Sequence, residues 1–344
     1  MTDGGHTIER LRELQSLPLE RKVGFTAARI TEWYSHWNGK VYVSFSGGKD
    51  STVLLHLVRS LFPDVKAVFI DTGLEYPETK KFVKLFDNVE IIHPPKTFKQ
   101  VIDERGYPII SKNVAMYIEI ARNYFKEHGT WGGGAGERLN LIPRGNKYSN
   151  SKYDIARWGW LVNAPFKISD SCCYFMKKKP MKKYEKESGL KPFIGTLAEE
   201  SQLRETAWIL KGCNAFDAAR PTSTPLSFWT EQDVLKYIKL KNIPICPVYG
   251  EIVEYNGKLQ TTGVERTGCL FCLFGITGEK EPNRIQRLAI THPNLWKYCV
   301  YKLGLKEVME FLKVPYAPQV DLFNIEQVNK IEKQGDKYPT WQEH

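Results

Sequence analysis

Short apolar runs alternate along this chain with longer stretches in which apolar residues recur every three or four positions. Near residues 7 to 37, Ile8, Leu11, Leu14, Phe25, Ile30 and Trp33 fall at helical spacing, so helices precede the first strand. "KVYVSFS" then reads as a short buried strand, "DSTVLLHLVRSLF" as a helix starting near Asp50 or Ser51, and "VKAVFIDTG" as a second buried strand. "YPETKKFVKLF" supplies another helix and "VEIIHPP" a third strand. Strands and helices alternating through short links predict an α/β fold, a parallel sheet sandwiched by helices.

Beyond Phe98 the pattern blurs. "HGTWGGGAGERLNLIPRGNKYSNSKYD" is rich in Gly, Asn and Ser and predicts a mobile loop or lid between Ala121 and Trp158. The Gly-rich stretch around Trp131 to Gly136 and the aromatics Tyr148, Tyr153 and Trp158 suit either a lid or nucleic-acid contact, or packing of the loop itself. "FIGTLAEES" restores a strand-like run. "SFWTEQDVLKYIKLKNI" is a capped amphipathic helix, with Thr230 as N-cap and Asp233 three residues on. From Gly278 the chain is helical again before a polar tail, and no internal repeat is visible. The expected organisation is N-terminal helices over 1–38, a main domain over 39–250 with a flexible insertion near 128–155, and a C-terminal helical region over 251–344.

The 344 residues are 42% hydrophobic, enough for a buried core. No window approaches the roughly 20 apolar residues of a membrane span, and "MTDGGHTIERLRELQ" has no hydrophobic signal region, which predicts a cytoplasmic protein. The net charge of +10 is concentrated in clusters such as Lys177, Lys178, Lys179, Lys182 and Lys183. Such a cluster makes a local field for a polyanion, or simply a solvated face. Seven cysteines in a long chain of this type argue against a disulfide framework and for metal or redox use of some of them.

The candidate chemistry begins at "SFSGGKDS", Ser44 to Ser51. A strand, a Gly-rich turn and a helix start form an anion site, because free backbone N–H groups and the positive helix end converge on a phosphate. Gly47 and Gly48 let the backbone approach closely. The spacing fails the kinase-type pattern, in which Lys follows a second Gly after four intervening residues. The order Ser-Gly-Gly-Lys-Asp-Ser resembles the PP-loop of the ATP pyrophosphatase superfamily, of adenine nucleotide alpha hydrolase-like, Rossmann-like fold. That resemblance implies that Ser44, Ser46, Gly47, Gly48, Lys49, Asp50 and Ser51 hold the β and γ phosphates of ATP as leaving pyrophosphate. Lys49 would neutralise charge on the bridging and leaving oxygens. Asp50 either caps the helix or positions Mg2+. The second strand ends in "FIDTGLEYPET", so Asp71, Thr72 and Gly73 lie beside the loop at the carboxyl ends of the strands. This segment is similar to that of phosphoadenylyl sulfate (PAPS) reductases. Glu78 is either a functional acid or a first-turn helix acid.

Cys172 and Cys173 are adjacent, and Cys269 and Cys272 form "TGCLFC". Four such thiols suit zinc or an iron-sulfur cluster. The region resembles the adenylyl sulfate (APS) reductase branch through "CCYFMKKKPM", "IGTLAEESQLRE", "PLSFWTEQDVLKYI", "IPICPVYG" and "TGCLFC". With the loop, this covers about two thirds of the chain. The resemblance implies a 4Fe-4S cluster on Cys172, Cys173, Cys269 and Cys272, with Lys177 to Lys179 drawing in anionic substrate and raising the cluster's potential. Arg204 would bind phosphate or sulfate, or else pair with Glu200. Cys213, Cys246 and Cys299 read as buried small hydrophobes, with Cys246 as a substitute ligand.

Two departures from the reductases shape the expectation. The loop carries the full ATP-type motif, and no cysteine follows Cys299, whereas those enzymes end in a mobile Glu-Cys-Gly-Leu-His segment with the attacking thiol. The combination resembles the ATP pyrophosphatase components of DNA phosphorothioation systems and the cluster-dependent tRNA thiolation enzymes. It implies adenylation of an acceptor, DNA or tRNA, followed by sulfur incorporation from a cysteine desulfurase or another donor, in a homo-oligomer or multi-subunit complex. An APS or PAPS reductase is the alternative, and a nucleotide-binding regulatory subunit with a structural metal is the second alternative.

Overall fold

The computed structural model describes residues 6–144 and 154–318. Its strands are β1 (Val41–Ser44), β2 (Lys66–Ile70), β3 (Val89–Ile92), β4 (Ile109–Ile110), β5 (Lys191–Ile194), β6 (Asn214–Ala215), β7 (Thr222–Ser223), β8 (Ile252–Tyr255), β9 (Lys258–Thr261) and β10 (Leu273–Phe274). The chain forms two compact units, Met1–Pro95 with Lys177–Gly268, and Lys96–Met176 with Cys269–His344.

The first unit is built on a six-stranded sheet in the order β3-β2-β1-β5-β7-β6. All neighbours pair parallel except the short edge pair β6 and β7. Side chains alternate between the two faces of a strand, and here both faces are covered. Val41, Val43, Ala67, Phe69 and Phe193 enter the main core with Ile30, Trp33, Leu54, Val58, Val234 and Tyr237 from three helices, Leu19–His36, Lys49–Leu61 and Glu231–Lys241. Tyr42 and Val68 face the opposite side and meet Met181, in the helix Lys179–Ser188. The parallel sheet with flanking helices is thus the architecture the periodicity predicts, helical additions included.

The expected cap at Thr230 is present as a reciprocal capping box with Asp233. Asp233 also anchors the N-terminal helices: Lys22 is 1% exposed, and its Nζ meets Asp233 Oδ2 at 2.6 Å and donates to the Gln15 carbonyl. Removing either partner of such a pair would strand a buried charge.

In the second unit β4 and β10 pair parallel, and helices surround them. Arg122, in the helix Lys112–His128, donates to the carbonyls of Leu161, Val162, Ala164 and Phe166, gathering the 156–166 segment onto that helix. Part of the stretch expected as a loop is helical: the helix starting at Lys112 continues to His128, and Gly133–Arg138 forms another. Gly132 serves close contact there, since a Cβ on it would lie 2.5 Å from the Tyr124 ring. Trp131 packs on Phe125 at 4.4 Å, and Arg157 lies over Trp158. Tyr148 and Tyr153 lie outside the described residues. Among the described residues no helix is long and apolar enough to cross a membrane.

Candidate nucleotide loop and four-thiol site

The loop from Ser44 to Ser51 leaves the carboxyl end of β1 and enters the helix Lys49–Leu61. Gly47 makes the turn at φ +70°, a conformation that disfavours side chains, and a Cβ there would lie 2.8 Å from Thr79 Cγ2. The hydroxyls tie the loop to itself. Ser46 N donates to Ser51 Oγ at 3.2 Å, Gly48 N to Ser46 Oγ at 3.3 Å, and Ser51 Oγ to the Gly48 carbonyl at 2.9 Å. The N-cap is Gly48, with no side-chain cap bond, so Asp50 is not the helix cap. Instead Asp50 Oδ1 is buried without a hydrogen-bond partner, and burial raises its pKa above the ordinary carboxylate range.

Lys49 is 3% exposed. Its backbone N–H donates to the Tyr249 hydroxyl at 3.2 Å, while its Nζ donates to the Glu265 carbonyl and pairs with Glu231 Oε1, each at 3.0 Å. Burial works to lower its pKa, but the charges of Asp50, Tyr249 and Glu231 outweigh it and hold the ammonium above its usual range. A cavity of about 320 Å³ is lined by Lys49, Asp50, Leu197, Glu199, Glu200, Glu231 and Arg266. Four carboxylates thus face two cations. Burial also raises the pKa of Glu199. Arg204 pairs with Glu200, the partner its sequence neighbourhood offers.

Beside the loop, Asp71 follows β2, accepts from Gly73 N at 2.9 Å and pairs with Lys80 at 2.6 Å. Thr72 is buried and donates from N–H and hydroxyl to Glu75, which is 8% exposed and also accepts from Leu74 N. Glu78 sits in the first turn of the helix Pro77–Val83, where an acid suits the helix end. Sequence reasoning missed Tyr249, Glu231, Arg266 and Glu75. "IPICPVYG" is where a signal for Tyr249 lay, but only the fold shows its hydroxyl on the loop.

The four cysteines all belong to the second unit. A single segment joins their two halves. Tyr107 bridges to Ile168 four residues before Cys172, and β4, two residues further on, pairs with β10 directly after Cys272. Ile110 ends that segment at φ +61°, a strained backbone for a β-branched residue, and its carbonyl accepts Gly275 N at 2.7 Å. The turn before Cys172 is fixed by Ser169, which donates to Glu119 at 2.7 Å and accepts Ser171 N at 3.1 Å.

None of the seven cysteines is in a disulfide. Cys172 Sγ lies 4.0 Å from Cys173 Sγ. The hydrogen bond to Cys173 and burial push the Cys172 thiol strongly up, with Cys272 and Cys269 adding to the effect. Burial pushes Cys272 up to about 11, against the Phe274 N–H and Arg284. The pairings of Tyr107 with Ile168 and of β4 with β10 bring the two cysteine-bearing stretches to one segment of the second unit. Among the described residues no group of three or more His, Cys, Asp or Glu side chains is arranged to hold a metal ion. An all-thiol donor set is the ligand type of zinc sites and of iron-sulfur clusters alike. Cys213, Cys246 and Cys299 are buried elsewhere: Cys246 contacts Thr79 and Cys213 contacts Ser227 in the first unit, while Cys299 is fully buried in the second.

The chain has counterparts among known proteins. Residues 40–109 and 143–273, more than half of the chain, match the family described as phosphoadenosine phosphosulfate reductase domain. The chain belongs to that family, within the PP-loop, adenine nucleotide alpha hydrolase-like group. Among its relatives are two uncharacterized proteins of Methanocaldococcus jannaschii. One is 25% identical over 296 residues, covering 84% of this chain and 54% of that protein; the other is 29% identical over 272 residues, covering 78% and 42%. The chain thus spans about half the length of these two relatives. The adenosine 5'-phosphosulfate reductase of Staphylococcus epidermidis is 26% identical over 232 residues, 67% of this chain and 72% of that protein. A solved PAPS reductase from Candida auris covers 73% of this chain and 97% of its own at 16% identity, with a TM-score of 0.36.

Proposed function

We propose that this chain is an ATP pyrophosphatase-type enzyme that adenylates an acceptor so that sulfur can be introduced. The observation that carries this reading is Lys49, a buried ammonium at the first turn of the helix, held charged beside Asp50 and Glu231. Phosphate oxygens would replace the Ser46, Ser51 and Tyr249 hydroxyls that now accept from the loop's N–H groups. An oxygen of the acceptor attacks the α phosphorus, the bond to the bridging oxygen breaks, and pyrophosphate leaves with its charge balanced by Lys49. A sulfur nucleophile then forms the new bond and AMP departs. Asp50, with its unpartnered buried oxygen, suits the Mg2+ that accompanies the phosphates. Asp71, tied to Lys80, shapes the neighbouring turn at Thr72 and Gly73.

Cys172, Cys173, Cys269 and Cys272 are the proposed ligands of a 4Fe-4S cluster, which when bound would supply sulfur binding or electron transfer. The proposed acceptor is nucleic acid, DNA or tRNA, met by exposed lysines such as Lys178, Lys182 and Lys183. The proposed sulfur source is a cysteine desulfurase or a comparable donor.

A second reading is favoured by the named relatives: several are adenosine 5'-phosphosulfate reductases, and by comparison alone this reading has the better support. In it the loop takes a sulfonucleotide and the reaction yields sulfite. Product analysis separates the two. Pyrophosphate and AMP formed from ATP in the presence of DNA or tRNA support adenylation. Sulfite formed from APS or PAPS with thioredoxin, and no pyrophosphate from ATP, sinks it.

A further inference from the structure

The second unit carries a charged pair that neither reading uses. Arg284 opens the helix Arg284–Thr291, beyond residue 273, where the family match ends. Its Nη1 donates to the carbonyl of Cys272 at 3.2 Å. Glu279 braces it, accepting the Arg284 backbone N–H at 2.8 Å as well as the side-chain Nε, and pairing with Nη2. Arg287 approaches the same carboxylate at 3.8 Å. Both members of the central pair are largely covered, with side chains 34% and 22% exposed. Gly275, at φ +81°, turns the chain between Cys272 and this pair.

A guanidinium is always charged and presents its donors in a rigid fork, so it can hold a carbonyl and a carboxylate at once. Partners of this kind around a metal site orient the ligands and tune the metal, through hydrogen bonds and local charge. We infer that Arg284, braced by Glu279, is a positioning residue of the four-thiol site: it fixes the Cys272 carbonyl and supplies positive charge that favours the reduced form of a metal-sulfur centre there. This rests on the reading that the four thiols hold such a centre. Because Glu279 offsets part of that charge, the two residues act on the potential with opposite sign. A pair that only braced the fold would show no such opposition.

The full chain is reconstituted anaerobically with ferrous iron and sulfide, and iron content, retention under chelator and midpoint potential are read. Arg284→Gln shifts the potential negative and weakens iron retention by about tenfold or more, the usual effect of losing an outer partner of a metal ligand. Glu279→Gln shifts the potential positive. Arg284→Lys keeps the potential near that of the unaltered protein with intermediate retention. Unchanged potential and retention in Arg284→Gln overturn the inference alone. Should that variant fail to fold, an unshifted or negative potential in Glu279→Gln overturns it. If the unaltered protein takes up no iron and sulfide, the four-thiol reading falls first and the inference with it.

Discussion

The nucleotide loop and the four-thiol site are built by opposite strategies. In the loop, consecutive residues supply the strand end, the turn and the helix start, and Ser46, Gly48 and Ser51 bond one another within it. The thiols come from two distant stretches, brought together by the few residues from Tyr107 to Ile110. A contiguous site depends on local backbone rules, whereas an assembled one depends on its scaffold. Damage to the scaffold should therefore abolish one site and spare the other.

The largest expected effect comes from that scaffold. Ile109 is fully buried in β4, and Ile109→Ala should cost about 2–5 kcal/mol. Iron uptake should collapse while ATP binding persists; equal loss of both, read by metal analysis and nucleotide titration, would erase the contrast. Next, Lys49→Ala should lower pyrophosphate release by about 10²–10³-fold, the usual cost of a lost charge-stabilising group. Iron content near that of the unaltered protein is expected alongside it. Gly47→Ala should destabilise the first unit by about 1–2 kcal/mol, because an L side chain resists φ near +70°. A denaturation midpoint no lower than that of the unaltered protein would refute the account of the turn.

The smallest effect is a pH slope. Burial raises Asp50 in the folded state, with Glu231 adding to it against Lys49 and Arg266. A raised carboxyl binds its proton more readily folded than unfolded, so its contribution is fully present below the ordinary Asp value and lost as pH rises through the raised one. Asp50→Asn should flatten that fall in stability, leaving the part due to Glu199, which is raised for the same first cause. Identical pH curves for the two proteins would count against a desolvated Asp50.

The same contrast decides what was legible in the sequence. Strands β1 and β2 announce themselves because both sheet faces are buried, and the Thr230 cap is visible because Asp233 stands three residues away. The helix Gly133–Arg138 was hidden by a run of glycines that begins at its N-cap, Gly132, where a Cβ would meet the Tyr124 ring. Asp50 looked like a cap, but the turn at Gly47 moves the N-cap back to Gly48. Tyr249 and Glu231 reach Lys49 from far along the chain, and Arg284 reaches Cys272 only after the turn at Gly275. No local pattern encodes such meetings.

The most direct test of the central claim is equilibrium binding of ATP, AMP and APS to the unaltered chain and to Lys49→Gln. If the loop holds the β and γ phosphates, ATP binds more tightly than AMP or APS, pyrophosphate competes with it, and Lys49→Gln weakens ATP by about tenfold or more while barely altering AMP, a charged contact being worth roughly 1.5–3 kcal/mol. Tighter binding of APS than ATP, with no response to Lys49→Gln, would contradict the claim and leave the reductase reading in its place.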